Sequence, residues 1–143
     1  MSDTKYFREV MEIEEYEYTA GPMGTKFLEG LRNSKLVAGK CGKCGAIHIP
    51  PKGFCPIDFQ QVTETVEIEP MGIVKTFTVV REDFNGNTLR EPVVLAFIEF
   101  PGVSGGLLHY LKADRPSVGM KVRPKWREKR RGSINDIEYF EPL

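Results

Sequence analysis

Apolar positions near the start of the chain fall at helical spacing, whereas beyond residue 62 they follow the short period of β-strands. Tyr6, Phe7, Val10 and Met11 make an apolar stripe for a first helix, with Glu9, Glu12 and Glu15 around it. Ala20-Gly21-Pro22 breaks the chain, and a second short helix is expected from near Thr25, with Phe27, Leu28 and Leu31 on one side, ending around Asn33-Ser34. Leu36-Val37-Ala38 then reads as a short strand. His48-Ile49-Pro50-Pro51 forms a stiff outer turn, since each proline fixes φ and removes a donor.

The remainder predicts strands. Residues 62–80 read as one long strand bent at Pro70-Met71-Gly72, where glycine permits a bulge. A polar loop over 81–91 carries the Asn85-Gly86-Asn87 turn signal. Further strands are expected over 92–100, 105–112, 119–127 and 134–140, with Asp114 capping a short helical turn at Asp114-Arg115-Pro116-Ser117. Five strands, a bend in the first and an insertion between the third and fourth describe an OB-fold barrel. The expected fold is mainly β, with an N-terminal helical arm (1–34), a zinc ribbon (35–61) and a five-stranded OB-fold barrel (62–143). The strand at Val93–Ile98 is apolar at odd and even positions alike, so both of its faces need cover, from the chain itself or from another protein.

Composition narrows the function. Twenty basic and 20 acidic residues balance, which argues against a dedicated nucleic-acid binder. No apolar run approaches the roughly 18 residues of a membrane span, and the first residues lack a secretory signal's apolar stretch. Three cysteines, all between 41 and 55, suit a reducing compartment and a metal knuckle better than a disulfide framework, and a cytoplasmic location is expected.

Those cysteines carry the sharpest chemistry. Cys41-Gly-Lys-Cys44 and Cys55-Pro-Ile-Asp58 are two knuckles of equal spacing, with aspartate in the fourth ligand place. Zinc held by Cys41, Cys44, Cys55 and Asp58 is the first reading, and His48 is the substitute ligand. A metal-free apolar remnant and a redox-active C-x-x-C are the alternatives, the last lacking a βαβ context. A closed site of four ligands is structural and leaves no open position for substrate. The second feature is the run Lys121, Arg123, Lys125, Arg127, Lys129, Arg130, Arg131, alternating with Val122, Pro124 and Trp126. It is either a solvated barrel face or a surface for a polyanion such as the phosphates of coenzyme A, or RNA. The aromatic interleaving that RNA wants is thin. His109 sits in a strand and reads as a core or rim residue, and no nucleophile–base pair stands out.

Cys41-x-x-Cys44-Gly45, Pro50-Pro51, Cys55-Pro56, Gly72-Ile73-Val74-Lys75-Thr76-Phe77-Thr78, Pro92-Val93-Val94, Val118-Gly119-Met120-Lys121-Val122 and the terminal Phe140-Glu141-Pro142 together resemble the family designated domain of unknown function 35. The resemblance runs from about Phe27 to Pro142. It implies helices, a rubredoxin-like zinc ribbon and an OB-fold in that order. It also implies a non-catalytic partner of acyl-CoA enzymes, among them acetoacetyl-CoA thiolase with HMG-CoA synthase, and lipid-transfer thiolases and hydratases of steroid side-chain degradation. The sequence departs from the family at Asp58, where cysteine is usual. The expected function is an acyl-CoA- or coenzyme A-binding scaffold subunit beside a thiolase-like enzyme, without membrane contact. Lys121, Arg123, Lys125 and Arg127 are the candidate phosphate contacts. A nucleic-acid-binding zinc-ribbon and OB-fold protein is the alternative, and an acyl-CoA enzyme acting alone is a third.

Overall fold

A computed structural model describes residues 3–11 and 13–143. The first expected helix is absent: the described residues of 3–20 lie without helix or strand and are exposed, and Glu12, assigned to that helix, lies outside the described residues. The physical reason is in the sequence. Five glutamates crowd positions 9–17 with no cation among them, so like charges repel along any helix face, and no packed surface repays the ordering entropy.

The helix that does form, α1 (Gly21–Arg32), begins earlier than expected, because Pro22 at its first turn suits a helix start rather than a break. It buries Met23, Phe27, Gly30 and Leu31. It ends at Asn33, after which Ser34 turns left-handed at φ 59°. Strands β1 (Leu36–Lys40), β2 (Ile47–Ile49), β3 (Glu64–Ile68) and β6 (Ser104–Gly105) make one sheet in the order β3-β1-β2-β6. Strands β4 (Gly72–Glu82), β5 (Thr88–Glu99), β7 (Leu107–Leu111), β8 (Lys121–Trp126) and β9 (Ile137–Pro142) close a barrel in the order β4-β5-β7-β9-β8. This is the OB-fold order: three meandering strands, with the fourth and fifth closing the circle.

Two expectations change. The long strand over 62–80 is two strands in different sheets: β3 pairs with β1 from Leu36↔Ile68 to Lys40↔Glu64, and Pro70, which cannot donate, falls in the break. No helical turn forms at 114–117; the short helix is instead a 3-10 turn at Ile134–Asp136, capped by Ser133. The polar loop is also shorter than expected. β4 and β5 extend into a long hairpin closed at Asp83, whose Oδ1 accepts from the N–H of Asn85 (2.9 Å) and Asn87 (2.8 Å).

One core joins both sheets. Phe27, Leu31, Leu36, Ala38 and Ile49 pack in a single cluster with barrel residues Val74, Ile98, Val122, Ile137 and Phe140. On β5 only Ala96 and Ile98 are buried, while Val93, Leu95 and Phe97 on the other face are half-covered. The covering of that outer face is thus partial.

Candidate metal centre and exposed faces

The two knuckles fold as copies of each other. Gly45 N–H donates to Cys41 C=O (2.9 Å) and Phe59 N–H to Cys55 C=O (2.9 Å). Cys41 N–H donates to Ala46 C=O (2.9 Å) and Cys55 N–H to Gln60 C=O (2.7 Å). Each turn needs a left-handed residue after its second ligand. Gly45 supplies it at φ 75° and Phe59 at φ 60°.

This pairing brings Cys41, Cys44, Cys55 and Asp58 together, with ligand atoms all within 4.8 Å of one another. Cys44 Sγ and Cys55 Sγ are 3.6 Å apart, and Cys41 Sγ is 3.6 Å from both Asp58 oxygens. Thiolates about 2.3 Å from a tetrahedral zinc stand roughly 3.8 Å apart, so the donor set fits the ion. The electrostatics agree. The Ala46 N–H lowers the Cys44 thiol's pKa, but burial, the Cys41 and Cys55 sulfurs and the Asp58 charge outweigh it and push it up to about 11. The Gln60 N–H, at 3.1 Å from Oδ1, leads in holding Asp58 below the usual carboxylate range. Such crowded donors call for a cation. The three cysteines and the aspartate are positioned to bind a metal ion, and in a zinc ribbon that ion is structural.

His48 does not join them. It is buried in β2, its Nε2 accepts from Lys52 N–H (2.9 Å), and its Nδ1 has no partner. Burial holds its pKa below the ordinary value. His109 is buried too: its Nδ1 accepts from Tyr110 N–H (2.8 Å), which leaves Nε2 to donate to Ile134 C=O (3.1 Å).

Lys121, Arg123, Lys125 and Arg127 project outward, alternating with buried Val122 and Pro124 and half-buried Trp126. They do not converge on one cavity. Arg123 lines a groove of about 410 Å³ with Pro70, Met71, Trp126 and Leu143, while Lys125 and Arg127 line another of about 500 Å³ with Trp126 and Lys129. Arg123 Nε also pairs with Glu141 at 3.4 Å, and Arg127 Nε donates to Asn135 C=O at 2.7 Å.

Two surfaces escaped the sequence reading. Phe54, Ile57 and Phe59 stand 50%, 62% and 75% exposed around the second knuckle. Their alternation with Cys55 and Asp58 was the available signal. The largest groove, about 710 Å³, lies against the β4–β5 hairpin and includes Val80, Phe84, Leu89, Val93, Tyr110 and Tyr139. Glu82, Asp83, Glu91 and Glu138 also border it, so it is acidic where the β8 face is basic.

Comparison with known proteins is consistent with this geometry. The rubredoxin-like zinc ribbon domain of ChsH2 matches residues 28–56, and the C-terminal OB-fold domain of ChsH2 matches residues 65–127. Asp58 falls just outside the ribbon match. A protein of unknown function from the DUF35 family of Sulfolobus solfataricus is 39% identical over 76% of this chain and 81% of its own, with a TM-score of 0.68. The Ltp2–ChsH2(DUF35) aldolase shares the fold at 24% identity, over 82% of this chain and 91% of its own, with a TM-score of 0.60. No curated protein matches. Among the described residues, no helix is long and apolar enough to cross a membrane.

Proposed function

The chain belongs to the DUF35 family, and from that premise we propose that it is a non-catalytic scaffold subunit that binds acyl-CoA or coenzyme A beside a thiolase-superfamily enzyme, such as acetoacetyl-CoA thiolase or HMG-CoA synthase. The observation that carries the accessory role is the commitment of its reactive side chains. Both histidines are buried and the thiols crowd one metal site, while Phe54, Ile57, Phe59 and Phe84 stand exposed on a fixed frame. Exposed apolar groups of this kind suit a protein interface. The ChsH2 resemblance supports the same role, because ChsH2 occurs with Ltp2 in an aldolase. On this reading the ribbon holds zinc through Cys41, Cys44, Cys55 and Asp58, and Lys121, Arg123, Lys125 and Arg127 face the coenzyme's phosphates through charge-assisted bonds.

Co-expression with a thiolase-like enzyme, followed by calorimetric titration of coenzyme A into the co-purified complex, tests the reading. A stable complex that binds the coenzyme, and binds it less well after R123E/K125E, is expected. A chain that stays alone, or a complex that binds no coenzyme, overturns it. The nucleic-acid reading instead requires RNA affinity that falls steeply with salt.

A further inference from the structure

The zero net charge hides a separation. Residues 9–17 carry five glutamates and no cation, while residues 121–131 carry seven cations and one acid. The described residues of the N-terminal segment are exposed, Tyr16 at 72% and Tyr18 at 80%, and these two rings stack with centroids 5.7 Å apart. The basic stretch is equally unneutralised. Among the described residues its one ion pair is Arg123–Glu141. Arg127 and Arg130 are instead oriented by backbone carbonyls: Asn135 C=O for Arg127, and Arg32 C=O (2.9 Å) for Arg130. Carbonyls fix a guanidinium without cancelling its charge. Trp126 divides the two grooves of this face, and Lys125, Arg127 and Lys129 rim one of them.

We propose that this β8 face is a docking surface for an acidic, tyrosine-bearing extended peptide, and that residues 9–18 of a second copy of the chain supply it. Carboxylates meet the guanidinium and ammonium groups through charge-assisted bonds. Tyrosine rings add stacking on Trp126 and cation–π contact with its basic neighbours. Reach selects the second copy over the chain's own segment. The segment joins α1 at its N-terminus, whereas Arg130 anchors the basic end at Arg32, the last residue of the 12-residue helix. That helix is about 18 Å long. Tyr18 lies two residues before its start and spans at most about 7 Å of extended chain. Two copies therefore exchange segments, each covering the other's basic face around a two-fold axis. This needs no coenzyme, so it stands apart from the reading above.

The test is the mass of the full chain by light scattering across concentration and salt, beside the binding of a fluorescent peptide of residues 9–18 to a chain lacking residues 1–18. Dimers at low salt that dissociate as salt rises are expected, because exposed charges are screened within about 10 Å at 0.1 M. Deleting residues 1–18 should leave a monomer that binds the peptide, and K125E/R127E/K129E should lose at least tenfold in peptide affinity while keeping its circular dichroism. A full chain that is monomeric under all conditions overturns the proposal, even if the free peptide binds. So does a dimer that survives the deletion or the charge reversal.

Discussion

Cys41 Sγ is equidistant, at 3.6 Å, from the two carboxylate oxygens of Asp58. The carboxylate thus presents both oxygens toward the thiol, in the place where the twin knuckle would set a single sulfur.

That substitution predicts how firmly metal is held. Native protein should carry close to one zinc per chain by elemental analysis. Replacing Asp58 by alanine should lower zinc affinity by more than the roughly 10–100-fold cost of losing an outer-shell partner, and D58C should raise it above wild type, both read by competition with a coloured chelator. C41S should release the metal and destabilise the ribbon. Equal affinity in wild type, D58A and D58C would show that Asp58 is no ligand.

Phe59 should be replaceable by glycine at a gain. Its φ of 60° and 75% exposure mean that an aromatic side chain sits in a strained conformation while burying little. Left-handed geometry costs an L-residue about 1–2 kcal/mol, and glycine returns roughly 0.5–1 kcal/mol of that as lost chain entropy. F59G should be neutral to about 1 kcal/mol more stable in urea, while weakening any partner complex. A clear loss of stability would mean that Phe59 is a packing residue.

Stability should fall with mild acid. Burial first, together with the nearby Lys52 charge at His48 and the Arg127 charge at His109, holds both imidazoles below the ordinary 6.5, against the hydrogen bonds that favour the charged forms. The folded chain keeps both neutral, so the unfolded chain takes up protons first as pH drops. Their contribution is fully present above about 6.5 and declines below it. Urea midpoints at pH 7.5 and 5.5 should differ, and H109Q should shrink the difference. A profile unchanged in H109Q would remove that histidine from the account.

Asp136 should matter well beyond its size. Burial would raise its pKa, but the N–H groups of Arg131 (2.8 Å), Ser133 (3.1 Å) and Gly132 (2.7 Å) outweigh burial and hold it below the usual range. D136A strands those donors and should cost about 1–3 kcal/mol in urea unfolding. A cost under about 0.5 kcal/mol, the scale of ordinary surface changes, would show that water replaces the carboxylate without penalty.

The parts legible in the sequence were those written in local periodicity. Cys41, Cys44, Cys55 and Asp58 converge because equal spacing produces equal turns. The outward set Lys121, Arg123, Lys125 and Arg127 follows from the two-residue period of a strand. Partner choice was not legible. Glu64 to Ile68 has the same strand character whether it pairs with β1 or continues into β4, and only tertiary packing decides. The Tyr6–Met11 stripe misled for a related reason: helical spacing describes a face, but no described surface here buries it.

The small strand β6 has a consequence for the whole molecule. Ser104 and Gly105 leave the barrel between β5 and β7 and pair in parallel with His48 and Ile49, and Gly106 N–H donates to Ile49 C=O at 3.1 Å. A side chain at Gly105 would collide with the Ile49 carbonyl, so the crossing admits only bare backbone. Ribbon and barrel are therefore interlocked rather than strung together, and neither should be transplantable alone. Stripping the zinc should be felt in amide exchange at Gly106, far along the chain from any ligand, and heating should melt both parts in a single calorimetric peak.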